Sequence, residues 1–254
     1  MIYVTGDCHG DFTRFNTRFF PDQKEMTKDD FAIILGDFGL WYPCKSESYW
    51  LKWLSNKPFT TLFVDGNHEN FDRLYSDEFP VVDFHGGKAH KIADSVYHLM
   101  RGYVFTLQDK TFFAFGGASS HDIDDGILDE KDFPSRRAFI KTCAKMNDLN
   151  KKFRVNHMDW WAQELPSQEE MQRGIDSLKE HDYCVDFVLS HCLPQDIASF
   201  ISGGMYKSDC LTQYFLSLVQ SDLKFGQWYC GHYHKDLRIF CTYNVLYRRI
   251  MRIV

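Results

Sequence analysis

The chain has 254 residues, of which 44% are hydrophobic and 17% aromatic, and its formal net charge is −6 at pH 7. This length predicts a single domain over 1–254 with a sizeable core, and the mildly acidic balance argues against a strongly basic nucleic-acid footprint. No apolar run approaches the length of a membrane span, and the run from Met1 to Thr5 is typical of a strand rather than a signal peptide. The eight cysteines form no C-x-x-C pair, which favours reduced thiols in a cytoplasmic protein.

Short strands alternate with helical stretches along the chain. Five apolar runs that each precede a turn signal are predicted to be strands: Ile2–Thr5, Phe31–Leu35, 61–64, 185–189 and 227–230. Helices are predicted around 11–19 and 46–55. This alternation indicates an α/β layered fold.

A second sheet is expected from further strand-like runs in the middle and at the end of the chain. Its predicted strands lie at 96–100, Tyr103–Leu107, 111–115, 237–240 and 245–250. Residues 108–110 are predicted to form a hairpin turn, and the last two strands are predicted to form a closing hairpin.

Residues 119–181 differ in character from the rest of the chain. The segment opens with an acidic loop and continues into two helical pieces. Ser167 and Glu170 have the spacing of a capping box at the start of the second piece. We expect a helical insertion in the domain, which either flanks or covers the functional site or forms only a solvated loop with surface helices.

Five short motifs each follow a predicted strand at its C-terminal end, where open α/β sheets place ligand sites. They are Asp7-Cys8-His9, Gly36-Asp37, Gly66-Asn67-His68-Glu69, Ser190-His191 and Gly231-His232-Tyr233-His234. Their Asp, Asn and His side chains supply the mixed oxygen and nitrogen ligands that suit Mn, Fe, Zn or Ni. Their order and spacing also fit chemistry that needs two cations about 3.5–4 Å apart.

Two of the motifs place candidate ligands two residues apart. At an extended strand end such residues point in the same direction, so Asp7 and His9 are predicted to reach one metal while Cys8 points elsewhere. The same spacing relates His232 and His234. Any one motif alone is compatible with a purely structural role, but the five together predict a two-metal phosphoesterase site.

The five motifs resemble the signature of the calcineurin-like metallophosphoesterase superfamily, which reads D-x-H, G-D-x-x-D, G-N-H-D/E, H and G-H-x-H. The blocks occur in that order from Asp7 to His234, so the resemblance covers nearly the whole chain. The runs at 36–41 and 116–119 are similar to a compact bacterial or phage-type subgroup. The resemblance implies a four-layer α/β/β/α sandwich of two mixed β-sheets flanked by helices.

The resemblance also implies how the motif residues divide between two divalent transition-metal ions. One metal would bind Asp7, His9, Asp37 and His234. The other would bind Asp37, Asn67, His191 and His232, so that the Asp37 carboxylate bridges both ions. The ligand set admits Mn, Fe, Zn and Ni, so the identity of the ions stays open.

The activity that the resemblance implies is hydrolysis of a phosphomonoester or phosphodiester by a metal-bridging hydroxide. Asp37 and Asn67 would act through the metals, and we assign His68 as the general acid for the leaving oxygen or as a phosphate ligand. Glu69 is predicted to orient His68, and Asp11 to orient a metal ligand. The expected substrate is a phosphorylated small molecule, a nucleotide or a phosphoprotein.

One departure from the family pattern bears on phosphate binding. The family often has Asp-Arg shortly after the bridging aspartate, and the protein-phosphatase branch uses such an arginine to clamp phosphate, whereas 38–41 reads Phe-Gly-Leu-Trp here. Candidate replacements are Arg136, Arg137, Arg73 and Arg101, together with His121 if its loop returns to the site. An exposed charge is the alternative for each arginine. Trp41, Trp160 and Trp161 either stack a base or aromatic leaving group or pack in the core.

Three other functions stay open at this point. A Ser/Thr protein phosphatase is disfavoured by the missing arginine, and a nuclease is disfavoured by the acidic balance and the lack of a basic tract. A non-catalytic metal-binding scaffold would usually have lost a ligand or His68, and the sequence keeps all of them. The sequence predicts no membrane partner and does not determine the oligomeric state.

Overall fold

Two large mixed β-sheets form the centre of the structure, a computed structural model that describes residues 1–39 and 42–254. The strands of the first sheet are β1 (Ile2–Thr5), β2 (Phe31–Leu35), β3 (Thr60–Val64), β4 (Val81–Phe84), β5 (Gly87–Ala93), β6 (Val96–Leu99) and β15 (Met251–Arg252). They are arranged in the order β15-β1-β2-β3-β6-β5-β4. Within that order, β1, β2, β3 and β6 pair with their neighbours in parallel. The pairings of β15 with β1, of β6 with β5 and of β5 with β4 are antiparallel.

The second sheet repeats this arrangement of a parallel centre with antiparallel edges. Its strands are β7 (Tyr103–Leu107), β8 (Lys110–Phe115), β11 (Cys184–Ser190), β12 (Lys224–Cys230), β13 (Leu237–Ile239) and β14 (Tyr243–Val245). They are arranged in the order β13-β14-β12-β11-β8-β7. A separate small ribbon pairs β9 (Ile127–Leu128) with β10 (Arg154–Val155).

Helices cover the outer faces of both sheets. The α-helices of the described residues are α1 (Lys45–Ser55), α2 (Phe71–Leu74), α3 (Arg136–Asp148), α4 (Gln168–Glu180), α5 (Gln195–Ser202) and α6 (Cys210–Gln220). Leu54 of α1 is buried against the first sheet, and residues of α4, α5 and α6 are buried against the second. None of these helices is long and apolar enough to cross a lipid bilayer.

Three apolar layers hold these elements together, so the predicted four-layer α/β/β/α sandwich is confirmed. Between the sheets, Ile33 and Val64 of the first meet Phe112 and Leu189 of the second. Because strand side chains alternate between faces, Ile34 instead packs under the outer helices. Burial on both faces explains why the central strands are continuous hydrophobic runs rather than alternating ones.

The strands predicted before the motifs are all present, and β1 and β2 have the predicted bounds. The predicted hairpin turn is also confirmed. Gln108 and Asp109 have φ angles of 48° and 60°, the left-handed conformation that a two-residue turn between β7 and β8 requires.

Three sequence predictions about elements are wrong. Residues 11–19 form only a 3₁₀ turn at Thr13–Phe15, because Phe12 and Phe15 both insert into the core and bend the chain. The strand predicted at 96–100 was expected in the second sheet. It is instead β6 of the first sheet, where it pairs with β3. The run at 245–250 is not one strand, because β14 ends at Val245 and the chain then crosses to place β15 beside β1.

The segment 119–181 combines two kinds of structure. α3 buries only Phe139 among its residues, whereas α4 packs on the second sheet with Leu178 in the core. Ser167 and Glu170 form the predicted capping box at the start of α4. The assignment of the segment as an insertion stays a prediction, although α4 is an integral part of the helical layer.

Candidate active site

The five motifs converge at one edge of the sandwich. Three of them follow the parallel strands β1, β2 and β3 of the first sheet, and two follow β11 and β12 of the second. Because parallel strands end at the same edge of a sheet, this arrangement gathers the motif side chains from both sheets.

The first cluster joins the motif after β1 to the motif after β12. Oδ2 of Asp7 lies 3.0 Å from Nε2 of His234 and 3.8 Å from Nε2 of His9. The two imidazole Nε2 atoms are 3.3 Å apart, and Nε2 of His9 is also 3.7 Å from Oδ2 of Asp37. One ligand atom from each of Asp7, His9 and His234 lies within 4.8 Å of the others, so this trio can hold one metal ion.

The second cluster is built around the other oxygen of Asp37. Oδ1 lies 3.4 Å from Nε2 of His191 and accepts a hydrogen bond of 2.8 Å from the main-chain N–H of His68. Nδ1 of His191 donates to the main-chain oxygen of Leu35 at 2.7 Å, which fixes the tautomer and turns Nε2 toward the carboxylates. Asp7, Asp37 and His191 also have ligand atoms within 4.8 Å of one another.

Several buried polar atoms at this edge have no hydrogen-bond partner. Within the described residues there are five such side-chain atoms, and three of them are Oδ2 of Asp7, Oδ1 of Asn67 and Nε2 of His191. Asp7 and His234 approach each other without hydrogen-bonding geometry. A buried polar atom without a partner costs about 1–3 kcal/mol. Carboxylate oxygen, amide oxygen and imidazole nitrogen are all cation ligands, so a bound cation would satisfy all three atoms.

Four candidate ligands adopt left-handed backbone conformations. The φ angles are 48° for His9, 49° for Asp37, 65° for His232 and 48° for His234. The expectation of extended strand ends is therefore wrong, because the chain turns sharply after β1 and after β12. Such conformations are uncommon for residues with a side chain and cluster at functional sites.

The turn after β12 separates the two histidines of its motif. His234 lies beside Asp7, whereas the ring of His232 lies 5.0 Å, centroid to centroid, from that of His191. The main-chain N–H of His232 donates to Oδ1 of Asp7 at 2.9 Å. The two histidines thus face different clusters, and the division of ligands between two metals stays a prediction.

Glycines are needed in these motifs because the ligands approach the backbone closely. A Cβ at Gly36 would lie 2.0 Å from Nδ1 of His191, and one at Gly66 would lie 2.0 Å from Oδ1 of Asp37. A Cβ at Gly231 would lie 2.3 Å from Oδ1 of Asp7. Any side chain at these positions would displace a candidate ligand.

The buried carboxylate of Asp37 and the imidazole of His191 shift each other's pKa in opposite directions. Burial would raise the pKa of Asp37, but His191, His68 and His9 hold it well below its usual range. Burial would lower the pKa of His191, but the Asp37 carboxylate raises it to about 10. The negative charge of the carboxylates thus favours the protonated form of this imidazole. A metal cation would replace this proton, because metal binding releases protons from its ligands.

The pKa values of the other histidines of the site shift in different directions. Burial lowers the pKa of His232 well below its ordinary value, which keeps the ring neutral as a ligand must be. The adjacent Asp7 carboxylate raises the pKa of His234. Burial lowers the pKa of His68, Asp37 opposes this change, and the Arg154 guanidinium adds to it.

The structure places the predicted supporting residues as follows. Glu69 is fully buried and accepts hydrogen bonds from the main-chain N–H groups of Phe38, at 2.5 Å, and Gly39, at 3.1 Å. It therefore braces the loop that follows Asp37. Asp11 is exposed and accepts from the main-chain N–H of Thr13 at 2.9 Å. The orientation of His68 by Glu69 and of a ligand by Asp11 stay predictions.

Sequence reasoning missed an arginine that holds the first motif. Nη1 of Arg14 donates to the main-chain oxygen of Gly6 at 3.0 Å and to Oγ1 of Thr5 at 2.7 Å, and Nη2 donates to the main-chain oxygen of Asp7. The guanidinium thus fixes the turn that presents the Asp7 carboxylate. A single arginine in an irregular segment gives no sequence signal for this role.

His121 does return to the site. Its Nε2 lies 3.0 Å from Nε2 of His232, and its ring stacks on Tyr206 with centroids 4.7 Å apart. Close by, Arg154 pairs with Asp122, and its charge reaches His68. Arg154 is therefore a cation beside the site that the sequence did not reveal.

The other candidate cations occupy different environments. Arg73 pairs with Glu47 at 2.8 Å and with Glu78 at 2.6 Å, and Arg101 is buried with Nε 2.9 Å from Asp65, so neither is available for phosphate. Arg136 and Arg137 are exposed at the first turn of α3, and their role stays a prediction.

Two tryptophans considered for base stacking are described by the structure. Trp161 is buried in the core of the first sheet and donates from Nε1 to Asp72 at 2.7 Å, which fits the packing alternative. Trp160 is partly buried. Trp41 lies outside the described residues.

The fold and these clusters agree with the comparison against protein families. The chain belongs to the calcineurin-like phosphoesterase family, whose family model matches residues 1–236. This family is metal-dependent, typically with two metals, and acts on phosphorylated substrates, so the chain is a member of a family of phosphoester hydrolases. A search of curated proteins found no match to the chain.

Proposed function

We propose that this protein hydrolyses a phosphomonoester or phosphodiester with two transition-metal ions, in the ligand sets expected from the sequence. The observation that carries the proposal is the group of buried ligand atoms without hydrogen-bond partners, Asp7 Oδ2, Asn67 Oδ1 and His191 Nε2. Asp37 has one oxygen toward His9 and the other toward His191, the placement that a bridging carboxylate needs.

The donor set fits Mn, Fe, Zn or Ni, because it combines carboxylate and amide oxygens with imidazole nitrogens. Two such ions would polarise the phosphoryl group and supply an activated water as nucleophile. The protein's own contribution is to hold the ligands at the strand ends and to keep His232 neutral and Asp37 ionised.

His68 is assigned to the leaving group or to a phosphate oxygen. Its main-chain N–H anchors it to Asp37 at 2.8 Å, and its ring lies 5.6 Å from the ring of His9, centroid to centroid. The imidazole thus lies beside the first cluster, where it can donate a proton to a departing oxygen. The proposed substrates are a phosphorylated small molecule, a nucleotide or a phosphoprotein.

The test uses metal-stripped protein to which Mn, Zn, Fe(II) or Ni is returned. Hydrolysis of bis(p-nitrophenyl) phosphate and p-nitrophenyl phosphate is then measured, and the ratio of the two rates reports diester or monoester preference. We expect turnover only with metal. No turnover on either ester, or on a panel of nucleotides and phosphopeptides, with two metals bound would reject catalysis and support the scaffold alternative.

The variant His68→Ala should keep both metals and lose turnover by about 10²–10⁴-fold, the usual contribution of a general acid. Metal content is measured together with the rates. His85→Ala is the matched control, because His85 is exposed in the turn between β4 and β5. Loss of metal from His68→Ala would instead place His68 among the ligands.

A further inference from the structure

Three buried polar side chains, one of which is the candidate ligand Asn67, form a chain of hydrogen bonds. Asn67, Ser120 and Glu164 are 4%, 5% and 2% exposed. Nδ2 of Asn67 donates to Oγ of Ser120 at 3.3 Å, and that hydroxyl donates to Oε2 of Glu164 at 2.6 Å. The main-chain N–H of Ser120 donates to the other oxygen of Glu164 at 2.9 Å.

The direction of these hydrogen bonds follows from the chemistry of the last group. When Glu164 is ionised, its carboxylate can only accept hydrogen bonds, so Ser120 must then give its single hydroxyl proton to Glu164. The Oγ atom is then left as an acceptor toward Asn67. Only the NH₂ group of the Asn67 amide can satisfy it, because the amide oxygen has no proton to donate.

This polarity decides which atom of Asn67 faces the metal site. With its NH₂ group held by Ser120, the amide turns Oδ1 the other way, and Oδ1 is buried without a hydrogen-bond partner. A reversed amide would place two oxygens in contact at Ser120. It would also present NH₂ to the cation, and an amide nitrogen is not a metal ligand in this form.

We propose that Ser120 and Glu164 are positioning residues that fix the Asn67 amide with its oxygen toward the second metal position. The proposal rests on the proposed function, since it concerns a ligand of that site. It also gives residues 119–181 a specific role, because both positioning residues belong to this segment.

Further hydrogen bonds connect the segments that carry Glu164 and Ser120 to Asp65, in the loop after β3. The main-chain oxygens of Gln163 and Glu164 accept from the buried guanidinium of Arg101, which also pairs with Asp65. The main-chain N–H of Gly117 donates to the main-chain oxygen of Asp65 at 2.8 Å. Asp65 lies two residues before Asn67, so Glu164 and the ligand are held by one network.

Glu164→Gln tests the polarity with almost no change of shape. A glutamine amide can donate as well as accept, so it no longer forces the Ser120 hydroxyl to donate away from Asn67. We expect the affinity of one of the two metal positions to fall about 10–100-fold, the usual effect of losing a residue that orients a ligand. The other position should keep its affinity.

The measurement is calorimetric titration of metal-stripped protein with Mn and with Zn, which reports the stoichiometry and affinity of each position without any turnover. Burial raises the pKa of Glu164 to about 7, so the titrations are run at pH 8, where its carboxylate is ionised. Ser120→Ala is the second variant. It removes the acceptor of the Asn67 amide and should weaken the same position.

Asp186→Asn is the matched control. The Asp186 carboxylate also accepts from the main-chain N–H and the hydroxyl of one residue, Thr111, but it lies near the start of β11, away from His191. This variant should bind both metals with the affinity of the wild type.

The outcomes separate this proposal from the proposed function. Wild-type affinity at both positions in Glu164→Gln and Ser120→Ala would overturn the positioning role. Equal weakening of both positions in these variants and in Asp186→Asn would also overturn it, because general destabilisation would then be the cause. A wild-type protein that binds fewer than two cations would instead reject the dinuclear site itself.

Discussion

At the scale of single residues, the Asp37 side chain is shared by both clusters. Its two oxygens face different clusters, at 3.7 Å from Nε2 of His9 and 3.4 Å from Nε2 of His191. Its own φ of 49° and the absence of a side chain at Gly66 allow this placement. A bridging position requires two acceptor oxygens, which a carboxylate has and an amide lacks.

Asp37→Asn should therefore weaken both metal positions together, because the amide offers one oxygen and no negative charge. Titration of the metal-stripped variant with Mn measures the affinity of each position, with Asp186→Asn as the control. Unchanged occupancy of both positions would contradict the bridging role of Asp37.

At the scale of elements, the antiparallel pair β5–β6 carries a buried polar contact across the sheet. His90 faces His98 in the register of the two strands, and their Nδ1 atoms are 2.9 Å apart. Nε2 of His98 lies 3.0 Å from Oδ1 of Asp65, so the pair continues into the loop that carries Asn67. This contact links the edge of the first sheet to the site.

We predict from the buried His90 that the free energy of unfolding decreases in acid. Burial, with a smaller effect of His98, lowers the pKa of His90 from 6.5 to about 3. Between these values the unfolded chain binds the proton and the folded chain does not, so stability falls as the pH falls from 6.5 toward 3. The loss should reach at most about 2 kcal/mol between pH 7 and pH 5.

Urea unfolding of the wild type and of His90→Gln at pH 7 and pH 5 measures this effect. The variant should be less stable at pH 7 but should lose less stability on acidification. The control is His85→Asn, at an exposed histidine in the turn between β4 and β5, and it should keep the wild-type dependence. An equal loss in His90→Gln and in the wild type would assign the acid sensitivity to other groups.

At the scale of the whole molecule, the site exists only because two sheets pack together. The first sheet supplies Asp7, His9, Asp37 and Asn67, and the second supplies His191, His232 and His234. The apolar layer between the sheets fixes their relative position. Metal binding in the proposed ligand sets would therefore join both halves of the fold and should stabilise the protein as a whole.

Removal of metal should lower the thermal midpoint. Binding at 100 times the dissociation constant contributes about 2.7 kcal/mol, which for a chain of this size corresponds to roughly 5–10 °C. Differential scanning calorimetry of the chelated and the Mn-loaded protein measures the shift. The Asp37→Asn variant should show less of it, and an identical midpoint with and without saturating metal would contradict the coupling.

Much of the fold follows from local patterns. The strands before the motifs were predictable because β2 and β3 are apolar on both faces and end at turn signals. The strands β4 and β5 were missed, because their polar positions, such as Asp83 and Lys88, resemble a loop. The failed prediction at 11–19 has a different origin, since Phe12 and Phe15 bend the chain through contacts distant in sequence.

The sequence by itself determined the types of the candidate ligands and their positions at strand ends, because continuous apolar runs and turn residues are local properties. Only the tertiary structure decided which side chains meet. The hydrogen bonds of Ser120 to Glu164 and of Arg14 to the turn before Asp7, and the approach of His121 to His232, join residues whose spacing carries no pattern. Such contacts depend on how the sheets and the segment 119–181 pack, which is a property of the folded molecule.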